Sequence, residues 1–155
     1  MHKKEVNDSN IGIFNNLMQN YEAEFSAITG KHPDRQGLYE LDVTISEEHP
    51  GYLLYEGDNP IGFAVLGKHS EINDVAEFYI VPSFRRREFG KKFAFELFNL
   101  CPGPWQVRQI EGADRAKVFW RMIINEYTGG QYSEVKEDDP YWGPVTKQEF
   151  HSRTV

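Results

Sequence analysis

The sequence predicts one domain of the α/β or α+β class, residues 1-155, in which helices flank a mixed sheet. Three observations carry this. Apolar residues at helical spacing alternate with runs of strand formers in the order helix, hairpin, strand, helix, strand, helix, hairpin, and no repeat, low-complexity tract or linker interrupts them. A hydrophobic fraction of 39% with 14% aromatics supplies a core and argues against disorder. A chain of 155 residues can bury that core in one unit.

The first helix is read from Phe14, Leu17, Met18, Tyr21, Phe25 and Ile28, with Asp8 or Ser9 placed to cap it and Gly30 to end it. Pro33 and Gly37 break any period in 32–42, which is expected to be a loop with a short irregular element. GYLLYEGDNPIGFAVLG holds two apolar runs around Glu56 to Pro60 and reads as an antiparallel hairpin. NDVAEFYIV is a further strand, ended by Pro82. Phe89, Phe93, Leu97 and Leu100 share one face of a second helix, and PWQVRQI is the strand after it. ADRAKVFWRMIINEY reads as a third helix closed by Gly129-Gly130. QYSEVKEDDPYWGPVTKQEF looks like two strands around a turn at Glu137-Asp138-Asp139-Pro140.

Charge narrows the function. The chain has 17 Lys+Arg against 24 Asp+Glu, yet five of the basic groups fall within residues 85–92. An acidic body repels a polyanionic backbone, so nucleic acid is not an expected partner. A single small anion is. No apolar run approaches the roughly 20 residues that span a bilayer, so no membrane partner is expected. MHKKEVNDSN lacks the apolar stretch of a signal peptide, which points to the cytoplasm. The one cysteine, Cys101, ends an apolar helix pattern with no basic neighbour and is read as a packing residue. The five histidines show no metal-ligand spacing, and no metal is expected.

The basic group lies in VPSFRRREFGKK, between a strand and a helix. Such a junction exposes unpaired backbone N–H groups beside the positive end of a helix dipole, which suits an anion. The Walker phosphate loop and the Gly-x-Gly-x-x-Gly dinucleotide fingerprint are both absent. What remains resembles the coenzyme A loop of the GCN5-related N-acetyltransferases (GNAT). That loop has Val-Pro or Val-x-Pro, an aromatic, then Arg/Gln-x-x-Gly-x-Gly/Ala. Here Val81-Pro82 matches the first part and Arg85-x-x-Glu88-x-Gly90 the second. PWQVRQI and the helix after it resemble that family's next strand and helix, and the element order agrees from about residue 10 onward.

The resemblance implies a mostly antiparallel mixed sheet with a cleft between two central parallel strands. It also implies acetyl-CoA as cosubstrate, with Tyr79, Ile80, Val81, Arg86, Arg87, Glu88, Phe89, Gly90 and Lys91 as its binding residues. The backbone N–H of the Val81 region would polarise the thioester carbonyl. The implied activity is transfer of an acetyl group to an amine, on a small molecule or a peptide, and the resemblance leaves room for a homodimer. The chain departs from the pattern twice. Glu88 stands at the first loop glycine, where its carboxylate could cap the helix and point away. Ala113-x-x-Ala116-x-x-Phe119-Trp120 replaces the usual Asn-x-x-Ala-x-x-Phe-Tyr, so Trp120 stands where many members carry a tyrosine acid. These departures keep a second reading open, a non-catalytic module that senses acyl-CoA. A protein binding some other phosphorylated ligand is a third.

Glu77 lies four residues before Val81 on a strand, where some members place a general base. A carboxylate paired with an arginine is the competing reading. Trp120 is read as core. Tyr127, seven residues further along the same helix face, is the candidate for a displaced acid. Tyr39, Tyr141 and Trp142 are candidates to line an acceptor pocket.

Overall fold

The computed structural model describes residues 1–153. Seven strands form one sheet: β1 (His2–Glu5), β2 (Gly51–Glu56), β3 (Asn59–Lys68), β4 (Asn73–Ile80), β5 (Gly103–Ile110), β6 (Ser133–Asp139) and β7 (Gly143–Ser152), in the order β1-β2-β3-β4-β5-β7-β6. Every neighbouring pair is antiparallel except β4 with β5. Helix α1 (Ile11–Thr29) packs on one face, against Phe63, Val65 and Tyr79. Helices α2 (Phe89–Leu100) and α3 (Asp114–Thr128) pack on the other, around Phe98, Trp105 and Trp120. The fold is the mixed, mostly antiparallel sheet that the sequence reading anticipated.

The helix ends follow local chemistry. Gly30 and Gly129 adopt left-handed φ of 74° and 60° and return their N–H groups to Ser26 and Asn125. A Cβ is strained in that conformation, and glycine has none. The start of α1 differs from expectation: the first flanking residue is Asn10, not Asp8 or Ser9, and its side chain does not cap the helix. It instead accepts the Asn7 N–H at 2.8 Å and donates to the Glu5 carbonyl at 3.0 Å, which ties the helix to β1. Strand β1 itself has no apolar alternation to announce it. It exists because its backbone pairs with β2, from His2 opposite Tyr55 to Glu5 opposite Tyr52.

The last hairpin also turns later than expected. Glu137 to Asp139 continue the strand, and the turn is Pro140–Trp142. Asp139 Oδ1 accepts the N–H groups of Tyr141 and Trp142 at 2.8 and 2.9 Å, so the aspartate closes the turn that follows it. Between Gly30 and Pro50 no helix or strand forms. This long segment is fixed to α1 by Gln19, whose side chain exchanges two 2.8 Å hydrogen bonds with the Tyr39 backbone. Among the described residues, no helix is long and apolar enough to cross a membrane and no group of His, Cys, Asp or Glu is arranged to hold a metal.

Candidate active site

Strands β4 and β5 pair only through Asn73 with Trp105 and Asp74 with Gln106. Beyond these they diverge, and a break in the β3–β4 register explains how. Val65 faces Glu77 but Leu66 faces Val75, so Ala76 is an extra residue, and such a bulge bends and twists its strand. The opening is a cleft of about 380 Å³ walled by α1, β4, β5, α3 and the β6–β7 turn.

The bulge also sets the side from which each residue lines it. Val75 and Phe78 line the cleft while packing toward α2 and α3, whereas Glu77 turns toward α1 and lines it beside Tyr21. Enclosure pushes the Glu77 carboxyl up from 4.5 to about 7. Glu22 and Asp42 add to the rise, while the Tyr21 hydroxyl and Lys31 favour the charged form and oppose it. Tyr21 is itself raised well above its ordinary value, by burial first and then by the Glu77 charge. The competing reading of Glu77, a carboxylate paired with an arginine, is not what the structure contains: no ion pair involves it among the described residues.

The backbone along β4 supplies donors, though not the one expected. Val81 N–H already donates to the Ile61 carbonyl at 2.8 Å. In an antiparallel pair the residues that bond a given neighbour alternate. Tyr79 therefore also bonds β3, while Phe78 and Ile80 turn their N–H and C=O groups toward the gap. The Ile80 carbonyl is taken by Arg85 Nε at 2.8 Å. The free donors facing the cleft are thus the N–H groups of Phe78 and Ile80, which have the opposite parity to Val81 along the strand.

At the end of β4 the chain passes through a short turn, Pro82–Phe84, and reaches α2 through Arg85 to Glu88. Arg86 and Glu88 have φ of 61° and 67°, a left-handed conformation that costs a residue with a Cβ about 1–2 kcal/mol. Glu88 thus holds a backbone shape that glycine adopts without strain. Its carboxylate does not cap α2 but pairs with Lys91 at 3.2 Å, and it is well exposed. Gly90 lies in the first turn of α2, where an added Cβ would sit 3.2 Å from Phe119 Cζ. Its Cα seats the helix on α3.

The five basic groups divide. Arg85 is tied to Glu24 at 2.9 Å and to the Ile80 carbonyl, and lies over the Tyr79 ring at 5.5 Å. Lys91 bridges Glu88 and Glu126 at 3.2 Å each. Arg87 lies over Phe84 and Phe89 at 5.0 and 5.3 Å with its guanidinium otherwise open. Arg86 and Lys92 are exposed and have no ion-pair partner among the described residues. Three cations therefore remain without an ion-pair partner among the described residues, and two hold the loop in place. If Glu88 serves only to occupy a glycine's conformation, Glu88→Gly leaves thermal stability within about 1 kcal/mol of the native chain, because relief of strain offsets the added freedom of the unfolded chain. The same variant removes a negative charge from the loop, and calorimetry should find any anion held there bound several-fold more tightly.

The other candidates part company. Trp120 is buried against Phe78, Phe98 and Phe119, as a core residue is, and its ring also forms part of the cleft wall. Tyr127 packs on Phe95 and Phe98, and its hydroxyl meets Asn99 at 2.6 Å and Ser152 at 2.8 Å, outside the residues that line the cleft. Its phenol is a link between α3, α2 and β7. Tyr141 and Trp142 line the cleft, while Tyr39 does not. Glu22, Lys31 and Asp42 line it too and went unread. Only Glu22 carried a signal: it falls within the apolar stripe of α1, four residues after Met18 and three before Phe25.

Solved structures with this architecture are found at low sequence identity. A protein assigned to the GNAT acetyltransferases from Bacteroides thetaiotaomicron is 16% identical, with a TM-score of 0.63 over 100% of this chain and 89% of its own. A variant of the spermidine N-acetyltransferase SpeG from Vibrio cholerae is 10% identical, with a TM-score of 0.64 over 98% and 95%. An acetyltransferase from Bacillus subtilis, solved in complex with CoA, is 10% identical, with a TM-score of 0.57 over 97% of both chains. No protein-family model matches the sequence, and no curated protein does. The likeness is one of fold: the chain has the fold of the GNAT acetyltransferases.

Proposed function

We propose that this chain, built on that fold, is an acetyl-CoA-dependent N-acetyltransferase acting on an amine. The observation that carries the reading is the combination at the β4–β5 opening. Backbone donors line one wall, an anion-suited loop stands at its end, and a half-buried carboxyl with a pKa near 7 lies in between. The solved neighbours that bind CoA or acetyl-CoA share the fold and support the same reading. The pyrophosphate would lie on the N–H groups from Arg86 to Gly90 at the start of α2, with Arg86, Arg87 and Lys92 as counter-charges.

The residues supply orientation and a proton acceptor. Glu77 takes the proton from the acceptor's ammonium, leaving a neutral nitrogen whose lone pair forms the new C–N bond. The C–S bond breaks and its electron pair leaves on sulfur as thiolate. The N–H groups of Phe78 and Ile80 are the donors available to the carbonyl oxygen as charge develops there. A thiol with a pKa of about 8.5 is a tolerable leaving group without an acid. Tyr127→Phe should therefore change kcat less than about twofold and register as a small loss of stability, measurable by thermal denaturation.

Calorimetry should find acetyl-CoA binding in the micromolar range, and absence of binding at millimolar ligand overturns the reading. Release of free thiol in the presence of a pooled amine panel tests transfer. One observation keeps the sensor reading in contention: Trp120 occupies the position of the usual acid and is buried among aromatic rings. Coenzyme binding with no thiol release from any amine would favour it.

A further inference from the structure

The cleft contains a charged group that the reaction does not use. Glu22 lines it from α1 with its side chain 8% exposed, and its counter-ion is the Lys31 ammonium at 3.2 Å, which also pairs with Asp42. Lys31 comes from the irregular segment after α1 and lines the same cleft. Partial burial works against its charge, but the hydrogen bonds to Asp42 and Glu22 outweigh this and raise its pKa.

A carboxylate this buried needs a counter-ion at all times. The chain supplies a primary ammonium on a flexible four-carbon stem, which is also what an aliphatic amine carries. One ammonium can replace another without leaving Glu22 unpaired at either end of the exchange. The other cation on the wall, Arg108, is held by Asp139 at 3.2 Å and Asp74 at 3.4 Å, so its charge is met before a ligand arrives. At the mouth, Tyr141 and Trp142 are 77% and 47% exposed and offer ring faces to an organic cation.

We propose that the acceptor is an aliphatic diamine or polyamine: one nitrogen is acetylated beside Glu77 while a second, still protonated, displaces the Lys31 ammonium from Glu22 and Asp42. This rests on the acetyltransferase reading. A monoamine has no second charge to make the exchange. A peptide with a free N-terminus and no lysine lacks it as well.

The test compares putrescine, butylamine and such a peptide, by steady-state thiol release and by calorimetric binding in the presence of CoA. In the native chain kcat/KM for putrescine should exceed that for butylamine by about tenfold or more, the scale of a close charge pair. Lys31→Met removes the internal competitor, so KM for putrescine falls while butylamine gains less. Asp42→Asn, an isosteric change at a side chain 48% exposed, shrinks the preference for putrescine. Equal kcat/KM for the two amines, a preference for the peptide, or a preference that neither rises in Lys31→Met nor falls in Asp42→Asn overturns the proposal. So does absence of putrescine binding by calorimetry, whatever the turnover. Thiol release with butylamine and no diamine preference sinks this inference alone. Coenzyme binding with no release from any amine sinks the acetyltransferase reading, and putrescine binding that Lys31→Met strengthens would still sustain the ammonium site.

Discussion

Glu77→Gln slows acetyl transfer to a primary amine near pH 7 by about 10² to 10⁴, the usual contribution of a positioned proton acceptor. Coenzyme affinity and fold should be kept, because Gln has nearly the same volume and the pyrophosphate loop lies beyond the end of the strand. The pH profile gives the decisive check. As the proposed base Glu77 would act only as carboxylate, and its pKa is raised to about 7, so the native kcat/KM should rise through pH 7 and then level. In the variant that inflection disappears, and the rate climbs with the fraction of free amine until the amine itself is deprotonated. The gap between the two therefore closes at high pH. A Glu77→Gln enzyme as fast as the native chain at pH 7 removes Glu77 from the mechanism.

The same residue links pH to stability. Its folded pKa is raised above the ordinary 4.5, so the folded state holds the proton more tightly than the unfolded chain. Stability from this group is fully present below pH 4.5 and is lost as pH rises toward 7. Thermal melts of Glu77→Gln should lack this decline, and melting curves of the two chains should separate in favour of the variant across that window.

Gly90→Asp should remove coenzyme binding, a change of about a thousandfold if native affinity is micromolar and none is seen at millimolar ligand. Two effects combine. A Cβ at this position comes within 3.2 Å of Phe119 Cζ and 3.3 Å of its Cε2, so α2 or the ring must shift by tenths of an ångström. The carboxylate then adds negative charge where phosphate is to bind. The helix itself tolerates the change, since an acid in the first turn favours the helix dipole. Gly90→Ala separates the terms: it keeps the crowding without the charge, and calorimetry should find a loss well short of that for aspartate. Native coenzyme affinity in a folded Gly90→Asp chain would place the anion elsewhere.

Several features were legible because they depend on near neighbours. The stripe from Phe14 to Ile28, the glycine stops at Gly30 and Gly129, and the β-branched and aromatic run ended by Pro82 each obey a local steric or periodic rule. Trp120 was readable as core for the same reason, since Ala116, Phe119 and Ile123 share its helical neighbourhood. The place of the basic loop was readable from charge concentrated at a strand-to-helix junction, where helix termini leave N–H groups free whatever the surroundings.

Other features needed the assembled sheet. Strand β1 is polar and is made a strand by pairing with β2. Ala76 became the bulged residue only through its register with β3, and that register decided that Glu77 faces the cleft and that Phe78 and Ile80, not Val81, leave their N–H groups free. Arg85 looks in sequence like Arg86 and Arg87, yet Glu24 of α1 withdraws it from the anion. Glu22, Lys31 and Asp42 stand 9 and 11 residues apart, beyond the reach of any helical or strand period, and meet at one point in the cleft. The sequence by itself determined periodicity, chain punctuation and the place of the basic loop, because these act over a few residues of backbone. Only the tertiary structure decided which backbone donors are unspent, which cations are free of ion pairs among the described residues and what charge faces the cleft. A hydrogen bond or ion pair is satisfied by whichever partner folding brings within about 3 Å, however distant in sequence.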